Sequence, residues 1–153
     1  MFFKTHLVIA LFFALVFSNY FGNPLVFLPV VFIATLIPDI DSRFSKLGKR
    51  KIFRIFNFFV KHRGITHSLT FLSALSLVIF LSFKEILLPF AFAYSLHLAL
   101  DALTIQGIPI FYPLKFRVRG NVKTGGFLEK SFFISFLLID SFWIFYKIYL
   151  IVK

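Results

Sequence analysis

The chain contains no cysteine, so disulfides and thiolate metal sites are both excluded. Acidic residues are scarce: six Asp and Glu stand against 17 Lys and Arg, a formal charge of +11. Histidine is scarcer still, at four residues. What abounds is apolar surface. The 153 residues are 59% hydrophobic, 26 of them Phe, and the mean hydropathy is +0.92. Soluble domains run at roughly 45–50% apolar, so the composition belongs to the membrane class. On a soluble chain the basic excess would point to nucleic acid. On a membrane chain it marks cytoplasmic loops and anionic lipid head groups, and no nucleic-acid partner is expected.

Apolar stretches at about 7–21, 24–37, 65–83, 86–103 and 131–151 predict an all-α, multi-pass transmembrane bundle of about 4–5 membrane helices. Residues 1–153 form a single integral membrane domain in this reading. The first two stretches are short, with Pro24 between them and Pro29 inside the second; they fit either short crossings or a re-entrant hairpin. Lys4 and the short apolar core after it resemble a signal peptide, but no small-x-small cleavage site follows, so the segment is expected to be retained. Fourteen of the 17 basic residues fall at the N-terminal tip or in segments 38–64 and 104–130. That bias predicts a cytoplasmic (inner) membrane protein with its N-terminus and both long loops in the cytoplasm. Residues 42–61 space Ile52, Phe53, Ile55, Phe56 and Phe59 among Lys and Arg, as an interfacial helix would. Segment 115–124 alternates cations with apolar residues before Gly120-Asn121, which predicts a short basic hairpin at the membrane surface.

The scarce donors are not scattered. His6 precedes the first apolar stretch, Asp39 and Asp41 follow the second, and His62 and His67 open the third. His97 and Asp101 close the fourth, and Glu129 precedes the fifth. In alternating spans all of these ends lie at one membrane face. His97 and Asp101, spaced i and i+4, share a helix face, and an intramembrane acid beside a histidine defaults to a functional role. Sulfur-free imidazole and carboxylate donors suit Zn²⁺, then Mn²⁺ or Fe²⁺. Six candidate ligands, His6, Asp39, Asp41, His67, His97 and Asp101, supply one or two divalent ions. Each piece also has a plainer reading. His6 alone reads as an interfacial histidine, PDIDS as a helix stop, and Thr66 and Ser68 as caps of the third helix.

The ordered motifs Thr5-His6, Pro38-Asp39-Ile40-Asp41, His62 to Ser68, His97 through Asp101, Thr104 and Gly107, and Phe111-Tyr112-Pro113 resemble the YdjM-like family of membrane-bound metal-dependent hydrolases. The resemblance covers about residues 5–130 and leaves the C-terminal helix 131–151 outside. It implies an integral membrane protein with a metal-dependent hydrolase site. The order of donors is more remotely similar to zinc-dependent phospholipase C and P1-type nucleases. By that similarity Asp39 or Asp41, His67, His97 and Asp101 hold one ion, and His6 with Asp101 helps hold another. The third ion of those enzymes has no matching set here beyond Glu129.

The leading expectation is a cytoplasm-facing, membrane-embedded hydrolase of a phosphoester or lipid-linked substrate. Arg63 is the candidate phosphate clamp, with a lipid head-group contact as its plainer reading, and His62 an outer-shell or acid/base group. Two rivals stay open: an ion, proton or metal transporter, and a non-catalytic membrane protein stapled by a structural metal. Asp140, in the middle of the last helix, reads as a buried carboxylic acid hydrogen-bonded to another helix, in preference to part of a proton path. The lipid bilayer and anionic head groups are the expected partners; the oligomeric state is not legible.

Overall fold

A computed structural model describes residues 1–18, 20, 21, 23–41 and 64–153. Among them are five helices: α1 (Phe3–Phe17), α2 (Pro24–Leu36), α3 (Leu69–Ser82), α4 (Lys84–Ala102) and α5 (Phe127–Val152). Two 3₁₀ turns, Pro38–Asp41 and Ile65–His67, lie between α2 and α3. The expected interfacial helix in 42–61, with His62 and Arg63, lies outside the described residues.

The helix boundaries follow from local chemistry. Asn23 caps α2 by accepting from the Leu25 amide, with Pro24 at the first helical position, where its missing N–H costs nothing. Ser68 caps α3 by accepting from the Phe71 amide, as its residue type suggested. Thr66 does not cap; its hydroxyl donates to the Pro38 carbonyl at 3.3 Å instead.

These boundaries shorten the spans. At 1.5 Å per residue, α4 and α5 reach about 29 and 39 Å, whereas α1, α2 and α3 reach only about 20–23 Å against a hydrocarbon layer of about 30 Å. Two helices, α4 and α5, are therefore long and apolar enough to cross a membrane, fewer than the four or five the apolar stretches suggested. The reason is that apolar residues continue past the helix ends into turns. Ile37, Ile65 and Phe83, for instance, stand outside α2, α3 and α4.

The expected hairpin is also corrected. No strand forms among the described residues; isolated bridges join Thr104 to Val122 and Ile108 to Val118. The basic segment thus folds back on the chain just after α4 rather than on itself. Gly120 serves this approach, because a Cβ there would stand 2.3 Å from the Leu103 carbonyl oxygen. A glycine that reads as a turn signal is used for clearance.

α4 is the central element, with α2 and α3 packed on it; α1 packs on α2 and along α5. Ala10, Ala14, Ala34 and Ala93 are fully buried, small side chains that let apolar helices approach closely. Phe27, Val31, Phe90 and Tyr94 fill the space between them. α1 and α5 start together and run the same way. Thr5 meets Glu129 at one end, and the Lys147 ammonium donates to the Leu15 carbonyl and Ser18 hydroxyl at the other.

Candidate metal centre

Four elements deliver the donors to one place. His6 stands in the first turns of α1, Asp39 in the turn after α2, His67 in the turn before α3, and His97 and Asp101 in the last turns of α4. Asp101 sits between two histidines: its Oδ1 is 3.3 Å from His6 Nε2 and its Oδ2 is 3.4 Å from His67 Nε2. The Met1 nitrogen is paired with the same Oδ1. Asp39 Oδ1 lies 3.8 Å from His67 Nε2 and 3.9 Å from His97 Nε2. The His6 and His97 rings stack at 3.9 Å, tilted by 10°, and His67 meets His97 edge-on at 5.5 Å.

These contacts define two donor triads that could hold a metal ion, His6/His97/Asp101 and Asp39/His67/His97, with His97 common to both. Of the six residues expected from sequence, five are brought together. The sixth, Asp41, ends the turn after α2, and its side chain lies outside what is described. All five are closed off from solvent except Asp39, which is 15% exposed where the others are at 1% or less. The open edge of the cluster is therefore at Asp39.

The chemistry of the donor set fits a divalent cation. His6 Nδ1 and both ring nitrogens of His97 are buried without a hydrogen bond among the described residues, a costly state for polar groups inside a protein and one that coordination relieves. The two carboxylates among three imidazoles carry two negative charges, one of them paired with the Met1 ammonium, and a divalent ion in place of that ammonium would balance both. Burial disfavours the Asp39 anion, but the neighbouring imidazoles of His67, His97 and His6 together hold its carboxyl below the ordinary value. Asp39 is thus kept as a carboxylate, the form that ligates.

Three supporting residues were not assigned these roles by sequence reasoning. Thr66 bridges Pro38 and His67, its hydroxyl 3.2 Å from His67 Nδ1, so the Nε2 atom is the one directed at Asp101 and Asp39. The Tyr94 hydroxyl donates to the Thr66 carbonyl at 2.6 Å, fixing that turn from α4. Its signal was the i, i+3, i+7 series Tyr94, His97, Asp101, one face of one helix. The Thr104 hydroxyl donates to the Asp101 carbonyl at 2.7 Å and accepts from the Gly107 amide. Gly107 has φ +60°, and a Cβ there would meet the Val118 carbonyl oxygen at 2.1 Å. The spacing of His97, Asp101, Thr104 and Gly107 is therefore two donors followed by the turn that ends their helix.

Fold and site together define a helical membrane protein with a buried His/Asp cluster where its helix ends meet. The chain belongs to the family described as YdjM inner membrane protein, matched over residues 1–152 and so through the last helix. It is 29% identical to the uncharacterized protein YvsG of Bacillus subtilis (strain 168), covering 95% of each chain. It is 32% identical to the inner membrane protein YdjM of Escherichia coli (strain K12) over 75% of this chain and 64% of that one, and to its Shigella flexneri counterpart over the same shares. No solved structure matches it.

Proposed function

We propose that the cluster is a divalent-metal centre and that the protein is a metal-dependent hydrolase of a phosphoester or lipid-linked substrate, working at the cytoplasmic face of the inner membrane. The observation that carries this is the pair of donor triads sharing His97, with Asp101 presenting one oxygen to His6 and the other to His67. His6, His97 and Asp101 would hold one ion and Asp39, His67 and His97 another, or all five a single ion; Zn²⁺ is the best fit, then Mn²⁺ or Fe²⁺. When bound, such an ion supplies an acidified water and polarises a phosphoryl oxygen. Asp39, at the open edge, orders the entry side. Asp41 adds a carboxylate from the same turn. His62 supplies the acid/base group and Arg63 clamps the phosphate. The basic segments 38–64 and 104–130 contact anionic head groups and set the cytoplasmic orientation.

A second reading has its own observation. Four of the five donors are at 1% exposure or less, as in a closed structural site that ties helix ends without chemistry. Co²⁺ substitution separates the two. In the hydrolase, inorganic phosphate added to the cobalt-loaded protein shifts its visible spectrum, and a soluble phosphodiester is cleaved by wild type but not by folded His97→Ala. An unchanged spectrum with no cleavage leaves the structural role. No bound metal after reconstitution overturns both.

A further inference from the structure

One acid was left without a role by the motifs. Glu129 lies beyond them in the first turn of α5 and is 1% exposed. Its two oxygens do different work. Oε2 accepts from the Gly125 amide at 2.6 Å, just ahead of its own helix. Oε1 accepts from the Thr5 hydroxyl at 3.0 Å and from the Phe2 amide, at the start of α1. Neither helix has a side-chain cap at its own N-cap, Phe2 or Gly126. A carboxylate at the N-termini of two parallel helices meets the positive ends of both dipoles and satisfies donors of both. Gly125, at φ +77°, lies against the Phe2 ring, which a Cβ would approach to 3.1 Å.

The turn held in this way is the one that presents His6. The His6 amide donates to the Phe2 carbonyl, and Thr5, bound by Glu129, is its immediate neighbour. We infer that Glu129 is a positioning residue of the metal centre: it locks the first turn of α1 so that His6 stacks on His97 and faces Asp101. This rests on the metal reading above, but its core, the ordering of His6, can be read without metal. It also gives α5 a part in the site although α5 contributes no ligand.

The test uses the full chain in detergent. Zn²⁺ affinity is measured by chelator competition for wild type, Glu129→Ala, His6→Ala, Asp39→Ala and the doubles of Glu129→Ala with each. Separately, diethylpyrocarbonate labelling of the metal-free chains is mapped histidine by histidine. Glu129→Ala should weaken Zn²⁺ by about 10–100-fold, as loss of an outer partner does. That loss should vanish in the His6→Ala background and persist in Asp39→Ala. His6 should become labelled while His67, beyond Asp101, stays protected; general unfolding would expose both. Glu129→Gln keeps the shape and one acceptor oxygen, should give a smaller loss, and serves if the alanine variant does not fold. Affinity within about twofold of wild type, the scatter of independent sites, with His6 still protected, overturns the inference and leaves the metal centre standing. If wild type binds no Zn²⁺, the metal reading fails, and His6 labelling alone decides whether Glu129 orders that turn.

Discussion

α4 and α5 are both long enough to cross a membrane, yet they are built for opposite surroundings. The apolar window of α4 is 39% buried by its neighbours and that of α5 only 6%. α4 sits among helices and carries Tyr94, His97 and Asp101 on one buried face. α5 touches the rest of the chain along one seam. Its buried residues, Glu129 and Asp140, and its half-buried Phe133, Phe136, Trp143 and Lys147 recur every three or four positions toward α1, while Phe142, Phe145 and Leu138 stand exposed. A soluble protein would not tolerate such a surface; lipid would. The three buried carboxylates on these helices teach a further distinction. Asp101 lies between histidines, Glu129 is saturated by amide and hydroxyl donors, and Asp140 has no hydrogen-bond partner for either oxygen among the described residues. Burial alone therefore says little about role; the identity of the donors says more.

The largest effect should come from His97→Ala, which removes the donor common to both triads. Metal content by elemental analysis should fall to background, and retention of a full equivalent would break the division of labour between α4 and α5. Next, Leu138→Arg on the exposed face of α5 should cost about 2.5–3.5 kcal/mol of insertion, read by carbonate extraction from membranes. Normal extraction behaviour would mean that this face does not meet lipid. Tyr94→Phe deletes the hydroxyl held by the Thr66 carbonyl. It should cost about 1 kcal/mol of stability and loosen Zn²⁺ by about tenfold through the His67 turn, measured by thermal melting and chelator competition. Asp140→Leu should do least. Replacing an unpartnered buried acid by an apolar residue should leave stability unchanged or raise it by about 1 kcal/mol, with metal affinity unaltered. A marked loss of stability would show that Asp140 has a partner after all.

The sequence made the cluster legible because helix ends carry depth information. His6, Asp39, His67, His97 and Asp101 each flank an apolar stretch, and alternation brings such ends to one level. Span lengths were legible only coarsely, since Ile37, Ile65 and Phe83 look like helix and stand in turns. The 115–124 hairpin failed because a glycine signals either a turn or a close approach, and at Gly120 it is the approach. Thr66 and Tyr94 were hidden because their partners, Pro38 and Thr66, are 28 residues away.

By itself, then, the sequence determined the membrane class, the sulfur-free donor set and the gathering of those donors near helix ends, because composition and periodicity act through local, additive physics. Tertiary structure alone decided the rest: that Asp101 faces two histidines, that Asp39 keeps the open edge, and that Glu129 serves two helices at once. Those outcomes depend on how each helix is rotated about its axis, and that rotation is set by contacts with distant residues, such as the fully buried Ala10 and Ala93, rather than by its own pattern.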